Sequence, residues 1–179
     1  MGEINWYILF VMAGREYKVE RLLKERLDSD FFQPFVPLLE TLFIKAGVVK
    51  REIKPLFSGY VFIESELSSN QFISHIKTLV GKSNNIIRLL RYSDTEVALR
   101  QGEKEMMLSL CNNNFCVESS IGIMQGDRIH ITDGPLKGRE SIIKRINRHK
   151  RQATIEIQFM GNTRLVNVSL EVLKTLNQR

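Results

Sequence analysis

The sequence predicts two domains of different class: an α+β domain with an antiparallel sheet and helices, then a small all-β barrel. Helical and strand-like segments alternate up to residue 110, whereas only short strands and glycine-containing turns follow residue 122. The charge divides at the same place, since residues 1–121 hold 15 basic and 15 acidic side chains and residues 122–179 hold 11 basic and five acidic ones. We therefore predict a first domain at 1–110, a linker at 111–121 and a second domain at 122–179.

Hydrophobic periodicity predicts the order β-α-β-β-β-α-β-α for the first domain. The predicted elements are strand 6–11, helix 16–27, hairpin strands 38–44 and 48–53, strand 59–63, helix 68–82, strand 86–90 and helix 93–110. Two capping boxes, Ser68 with Gln71 and Ser93 with Glu96, mark the starts of the last two helices. This order predicts an antiparallel sheet with helices packed on it.

Alternation of apolar and polar residues predicts the strands of the second domain. Ile155, Ile157 and Phe159 alternate with polar residues, and turn signals stand at 133–135 and 161–162. Four or five short strands in fewer than 60 residues predict a small barrel. The polar segment 111–121 breaks the periodicity, and we predict that it is a mobile linker.

The residue pattern does not indicate catalysis, a metal site or a membrane span. Asp127, Asp133 and Glu140 are close in sequence, but all three stand at turns, where they serve backbone geometry. Cys111 and Cys116 have no further cysteine and no clustered histidine to complete a zinc site. Two cysteines suit a reducing cytoplasm, and no apolar run reaches the roughly 18–20 residues of a membrane span. We expect a cytoplasmic, monomeric protein that is not an enzyme and needs no cofactor.

The excess positive charge is concentrated between residues 137 and 151. This segment holds seven basic residues and a histidine against one glutamate. The candidate RNA-binding residues are Lys137, Arg139, Lys144, Arg145, Arg148, His149, Lys150 and Arg151. Such a cluster favours phosphate contacts, and the alternative is a solvated surface run without a ligand. Because Phe159 is the only aromatic residue of the second domain, folded RNA is a more natural ligand than a stacked single strand.

Aromatic residues at strand starts and at a corner of the first domain form a second candidate surface. The candidate protein-binding residues are Trp6, Tyr7, Phe57 and Tyr60. Core packing is the alternative and is favoured for Trp6, whereas a binding patch is at least as well supported for Phe57 and Tyr60. A weaker basic edge for nucleic acid consists of Lys50, Arg51 and Lys54.

Together these segments resemble the NusG family of transcription elongation factors. Trp6-Tyr7 with Gly14-Arg15-Glu16, and the run 55–62, resemble two hallmark stretches of the family's N-terminal (NGN) domain. Residues 126–138 resemble a KOW motif, and residues 159–163 resemble its closing turn. The resemblance covers almost the whole chain, with its motifs in the expected order.

The resemblance implies an NGN domain that binds the clamp helices of RNA polymerase and bridges to the other side of the cleft. It assigns the polymerase patch to Phe57 and Tyr60 with Trp6 and Tyr7 as neighbours. Two positions depart from the family pattern: Ser141 stands where the KOW motif usually has Gly, and Ser58 where general members usually have Pro. The basic KOW segment is unlike that of housekeeping members. The chain therefore resembles most the specialised paralogues, in particular the LoaP antiterminators of long biosynthetic operons.

We expect a bacterial regulator of transcription elongation and antitermination. Its NGN domain would bind RNA polymerase, its KOW domain would bind a nascent RNA hairpin, and non-template DNA is a further candidate partner. One alternative is a housekeeping NusG whose KOW domain binds a ribosomal protein or a termination factor. Another is a ribosome-associated KOW protein with a structural role.

Overall fold

The computed structural model describes residues 3–173, which form two compact units. The first unit is the chain up to Pro37 together with Pro55–Lys104, and the second is Leu38–Lys54 together with the chain from Glu105 onward. The segment Leu38–Lys54, predicted inside the first domain, therefore folds with the C-terminal strands. The boundaries of the two compact units therefore differ from the predicted domain boundaries at residues 110 and 122.

Twelve strands and three α-helices are described in residues 3–173. In chain order they are β1 (Asn5–Val11), α1 (Glu16–Arg26), β2 (Gln33–Phe35), β3 (Leu38–Lys45), β4 (Val48–Pro55), β5 (Tyr60–Ser65), α2 (Ser69–Lys82), β6 (Ile86–Leu89), α3 (Gln101–Leu110), β7 (Cys116–Val117), β8 (Ser120–Gln125), β9 (Arg128–Asp133), β10 (Ile143–Asn147), β11 (Gln152–Phe159) and β12 (Asn162–Leu173). A 3-10 turn at Glu140–Ile142 precedes β10.

The first unit is built on a four-stranded antiparallel sheet with the order β2-β5-β1-β6. Because side chains alternate along β1, Tyr7 and Trp6 serve opposite faces. The Tyr7 ring stacks on Phe72 of α2, with 3.7 Å between ring centroids. On the other face, the Trp6 ring meets Phe35 and Phe62 edge-on at 5.1 and 5.8 Å. The predicted α+β class is confirmed.

Two elements of the first unit differ from the prediction. The predicted helix from Ser93 is wrong, because the Tyr92 N–H donates to the Glu96 carbonyl at 2.8 Å, the reverse of the direction of a helical hydrogen bond. The Leu99 N–H then donates to the Trp6 carbonyl, so α3 begins only at Gln101. Strand β2 was not predicted because it contains Pro34, which a sheet accepts at its edge, and β2 is the edge strand.

The C-terminal strands of the second unit form a curled half-barrel with the order β10-β11-β12-β8-β9. All neighbouring pairs are antiparallel except β12 and β8, which are parallel. The alternating positions Ile155, Ile157 and Phe159 are buried, as their period predicts. The predicted all-β fold is confirmed as a sheet that curls with β9 and β10 at its two ends.

A three-stranded sheet with the order β4-β3-β7 belongs to the same unit. The hairpin turn at Ala46 and Gly47 has φ of +52° and +76°, the left-handed pair that a two-residue hairpin loop requires. The Ser169 hydroxyl of β12 donates to the Glu40 carbonyl of β3 at 2.7 Å. This contact holds the hairpin against the half-barrel.

The segment predicted as a mobile linker contains ordered strands. Strand β7 pairs in parallel with β3, and β8 begins at Ser120. Cys116, Val117 and Ser120 are all buried. Periodicity missed β7 because its polar neighbours conceal a short strand whose partner lies far away in the sequence. The role of residues 111–121 as a linker stays a prediction.

The Glu16 carboxylate ties the start of α1 to the corner that precedes β5. One oxygen accepts the Gly59 N–H at 2.6 Å and the Gly14 N–H at 3.1 Å. Burial opposes ionisation of this carboxyl, but the hydrogen bonds from Gly59, Gly14 and the Ser58 hydroxyl outweigh it and lower its pKa. The corner is therefore held by a buried negative charge.

The turn after β9 is fixed by a close backbone approach. Gly134 has φ of +90°, and a Cβ at this position would lie 2.6 Å from the Ser120 Cα and 2.7 Å from the Ser119 carbonyl oxygen. The Ser120 hydroxyl accepts the Leu136 N–H at 3.0 Å. Only glycine fits where the turn crosses β8.

The Glu16→Gln substitution is expected to lower the free energy of unfolding at pH 7 by about 1.5–3 kcal/mol, because it removes hydrogen bonds to a charge. Since the pKa of Glu16 is lower in the folded chain, its contribution is present above about pH 4.3 and is lost as the pH falls through the folded pKa. Urea denaturation at several pH values measures both effects. The control Glu20→Gln, which breaks only the exposed pair with Lys24, should cost about 0.3–0.5 kcal/mol. Equal losses for the two variants would contradict this role of Glu16.

The Gly134→Ala substitution is expected to destabilise the chain more than Gly138→Ala. Both glycines have positive φ, but a Cβ at Gly138 meets nothing within 4 Å. The Gly138 variant should cost about 1–2 kcal/mol from backbone strain, and the clash at Gly134 should add about 1–3 kcal/mol. Chemical denaturation of both variants separates strain from clash. Similar losses would show that the approach to Ser120 is not tight.

Candidate nucleic-acid and protein interfaces

Three of the four predicted polymerase-binding aromatics lie in the core. Trp6, Tyr7 and Phe57 are 1%, 0% and 7% exposed. The Trp6 Nε1–H donates to the Glu64 carboxylate at 2.9 Å, so even its polar edge is used internally. The prediction that these three side chains form a docking surface is corrected, because the sheet faces bury their rings.

Tyr60 is half-buried and reaches the surface beside two residues that the sequence analysis did not select. It pairs with Phe10 across β5 and β1, with 5.4 Å between ring centroids. Phe10 also pairs with Arg88 of β6, whose guanidinium lies 6.0 Å from the ring centroid. We call Phe10, Tyr60 and Arg88 the tyrosine patch. It presents partly exposed aromatic surface and one cation at one end of the sheet.

The predicted RNA-binding residues differ in how available they are. Five of them are exposed on β10 and the loop that follows it: Lys144, Arg145, Arg148, His149 and Lys150. Lys137 is exposed in the turn after β9. Arg139 and Arg151 are partly buried and have internal partners, since the Arg139 guanidinium donates to the Pro135 carbonyl and the Arg151 guanidinium pairs with Glu171. Arg139 and Arg151 therefore stabilise the fold through these internal partners.

The loop Asn147–Arg151, which we call the basic loop, has a defined shape. The Asn147 side-chain oxygen accepts the Lys150 N–H at 3.0 Å, which closes a turn of the kind that asparagine favours. Arg151 adopts a φ of +50°, and its N–H donates to the Arg148 carbonyl at 3.3 Å. The loop therefore presents Arg148, His149 and Lys150 outward from a closed turn.

A groove of about 350 Å³ lies next to the basic loop. Its walls come from the two ends of the half-barrel sheet, with Met124 and Ile129 on one side and Ile143 and Ile146 on the other. Its charged lining consists of Asp127, Glu140, Lys144, Arg145 and Arg148. We call this the seam groove. Sequence periodicity marks these isoleucines as core residues and does not show that the two sheet ends leave a groove between them.

The Glu140 carboxylate in the groove has a structural role. The Glu140 carboxylate accepts the Ile131 N–H at 3.1 Å, and this bond and further backbone N–H groups lower its pKa. Glu140 thereby links the 3-10 turn to β9. Within residues 3–173 no cluster of histidine, cysteine and carboxylate side chains is suited to a metal ion.

Burial raises the pKa of both cysteine thiols, that of Cys111 to about 12, which disfavours the thiolate form. None of the described helices is long and apolar enough to cross a membrane.

The basic edge predicted on β4 is only partly available. Lys50 and Lys54 are exposed, while the Arg51 guanidinium lies 3.5 Å from the Glu40 carboxylate. The basic edge predicted there is thus partly neutralised.

Comparison with known proteins identifies the family. The family model described as transcription termination factor nusG matches residues 4–108, more than half of the chain. The transcription termination/antitermination protein NusG of Thermus thermophilus is 22% identical over 167 residues, covering 88% of this chain and 91% of its own. That of Neisseria meningitidis serogroup B is 20% identical over 181 residues, covering 97% and 98%.

The fold agrees with these matches. A solved structure of Thermotoga maritima NusG, described as showing domain interaction, superposes with a TM-score of 0.56 at 16% identity and covers 94% of both chains. The family model spans the strands and helices that carry the tyrosine patch, and the full-length matches extend through the half-barrel. This chain therefore belongs to the NusG family of transcription termination and antitermination factors.

Proposed function

We propose that this protein is a specialised antitermination factor of the LoaP kind. In this proposal the NGN domain, formed by residues 1–110, binds the clamp helices of RNA polymerase in the cytoplasm. The KOW domain, formed by residues 122–179 after the connecting segment 111–121, binds a hairpin of the nascent RNA. The observation that carries the proposal is the group of five exposed basic side chains on β10 and the basic loop.

The placement of these side chains supports phosphate binding. Arg148, His149 and Lys150 project from a loop whose backbone is already closed by internal hydrogen bonds, so little ordering is needed when a ligand binds. Lys144 is 3.4 Å from Glu156 in an exposed pair, which water already weakens. Guanidinium and ammonium groups arranged in this way suit the closely spaced phosphates of a folded RNA.

The tyrosine patch supports the polymerase contact. Tyr60 presents a partly exposed ring that is held by Phe10 on one side and by the buried Phe57 ring at 6.2 Å on the other. Rigid aromatic side chains of this kind are frequent anchors of protein interfaces. We place the primary polymerase contact at Tyr60, with the buried Trp6, Tyr7 and Phe57 supporting it from the core.

The proposed RNA contact and the proposed polymerase contact strengthen each other because one chain carries both. Binding of RNA holds the protein near the polymerase that made the RNA and raises the effective concentration of the second contact. Transcription units whose RNA carries the right hairpin would then recruit the factor selectively. Non-template DNA near Lys50 and Lys54 is a further proposed contact.

A housekeeping NusG function is the second candidate. The relatives that match along the full length carry the general name NusG, which favours it. In that case the half-barrel would bind a ribosomal protein or a termination factor rather than RNA. The identity of 20–22% leaves the choice to experiment.

The full-length chain is expected to bind RNA hairpins with a logarithmic salt slope of about −3.5 to −4.5, as roughly four or five neutralised phosphates predict. Arg148→Glu should lower the affinity for every hairpin about tenfold or more, because phosphate contacts position an RNA without specifying its sequence. Lys77→Glu, an exposed charge reversal on α2, is the matched control. Fluorescence anisotropy across a salt series measures both. Absence of binding at moderate salt would favour the housekeeping function.

Tyr60→Ala is expected to weaken binding to bacterial core RNA polymerase by about 1–3 kcal/mol while the chain stays folded. Phe57→Ala should instead lower the melting temperature, because its ring is buried among the sheet aromatics. Phe31→Ala, an exposed aromatic of the loop before β2, is the control and should change neither property. Polymerase affinity and a circular-dichroism melt are measured for each variant. Unchanged polymerase affinity for Tyr60→Ala would remove the tyrosine patch from the interface.

A further inference from the structure

We propose, building on the RNA-binding function above, that the seam groove binds one unpaired nucleobase of the RNA. The base would be flipped out of its helix, and the cations of β10 and the basic loop would hold the phosphates on either side of it. The groove then supplies the recognition that phosphate contacts lack. Three features carry this inference: the position of the groove, its walls and the uneven distribution of its charges.

The groove exists because the half-barrel does not close. Strands β9 and β10 are the two ends of the sheet order, so the edge of each lacks a neighbouring strand within the described sheet. Strand β10 also has a bulge, since Ile143 pairs with Ile155 and Arg145 pairs with Thr154, which leaves Lys144 as an extra residue. The groove beside this bulge has a volume of about 350 Å³ and is open to solvent.

The bulge gives the groove its apolar wall. Ile146 pairs with Ala153, and Ile143 pairs with Ile155 two residues further along β11, so both isoleucines share one face of the sheet. Without the extra residue in β10, a spacing of three would place them on opposite faces. Met124 and Ile129, directly paired on β8 and β9, form the facing wall. Two apolar walls suit the flat faces of a nucleobase.

The edges of the groove suit the polar rim of a base. Edge strands present backbone N–H and C=O groups at regular spacing, and unpaired bases in RNA complexes are read by hydrogen bonds along their edges. A base within a continuous helix is stacked and paired, and it would have to leave the stack first. The cost of doing so is smallest for a nucleotide that is already unpaired.

The charges are distributed unevenly around the groove. Lys144, Arg145 and Arg148 lie on the β10 side, whereas Asp127 lies on the side of the β8–β9 turn and Glu140 on the 3-10 turn. Glu140 is kept ionised by the backbone groups that lower its pKa. A polyanion would therefore approach along the cations of β10, and a neutral base would occupy the middle of the groove. An apolar protein segment would have no use for the three cations, and this charge complementarity favours RNA.

The test uses the full-length chain and three blunt RNA duplexes of the same sequence. One is fully paired, one carries a single bulged nucleotide, and one carries the same bulge without its base. We expect the bulged duplex to bind about tenfold more tightly than the paired one, in keeping with the usual value of stacking one base, and the abasic duplex to bind like the paired one. Fluorescence anisotropy at one salt concentration measures the three affinities.

Variants of the groove complete the test. Ile129→Trp, which fills the groove, should lower the affinity for the bulged duplex to that for the paired duplex and leave the paired affinity unchanged. Leu165→Trp, at a position on β12 that is 65% exposed, is the matched control and should leave all three affinities unchanged. Ile129→Ala, a smaller change, should reduce the preference for the bulge about threefold. Circular-dichroism melts show whether each variant is folded.

The outcomes separate this inference from the proposed function. Equal affinity of the wild-type chain for the three duplexes, with the salt slope expected for phosphate contacts, would overturn the groove and leave general RNA binding in place. Wild-type affinities for all three RNAs in a folded Ile129→Trp chain would also overturn it. Failure of the wild-type chain to bind any duplex or hairpin would overturn both.

Discussion

The buried Glu16 carboxylate is the interaction on which the first unit depends. It binds the backbone N–H groups of Gly14, in the turn between β1 and α1, and of Gly59, at the corner that leads into β5. A Cβ at Gly59 would lie 3.2 Å from the Val11 carbonyl, so the corner packs tightly against the end of β1. This arrangement fixes where β5 begins and places Tyr60 opposite Phe10. The buried Glu16 carboxylate thus positions the tyrosine patch, where we propose the polymerase contact.

The second unit is governed by a sheet that curls but does not close. Open sheet edges are a risk for aggregation, and natural proteins often protect them with charged residues and bulges. Strand β10 has both protections, a bulge at Lys144 and the exposed cation Arg145. The same features create a cationic slot beside the basic loop. Protection of the edge and binding of a polyanion therefore need the same side chains, and one does not exclude the other.

The sequence predicted what depends on local periodicity. Strand β1, α1, the β3–β4 hairpin, α2 and the half-barrel strands β9 to β12 follow from the spacing of apolar residues and from turn residues, whereas β8 was not predicted. The failures concern segments whose structure is set by distant partners. The Ser93 capping box did not start a helix because the Glu96 carbonyl accepts the Tyr92 N–H, and β7 was concealed because its partner Leu38 lies far away in the chain.

The sequence predicted which residues belong to the candidate sites, but not which of their side chains are exposed. Charge counting found the basic segment, but only the structure separates the exposed Arg148 from Arg151, which pairs with Glu171. Aromatic residues at a glycine corner indicated a surface, yet both faces of the β1 sheet bury aromatic rings, and Phe57 is among the buried residues. Whether an aromatic side chain lies inside or outside depends on which faces of the sheet are covered, and this information is not local.

The distribution of charge has a consequence for selectivity. Phosphate contacts are similar in every RNA, so a basic loop that is tethered to a polymerase-binding domain would load on all transcripts to a similar degree. Selective loading needs an energetic difference between RNAs, and such a difference arises where a base or a particular shape is read. In this chain the feature next to the exposed cations that differs from a plain charged surface is the apolar seam between Ile129 and Ile146. If both proposed contacts form, the high effective concentration would amplify a modest difference in RNA affinity at that seam, because only a bound RNA would hold the protein near the polymerase.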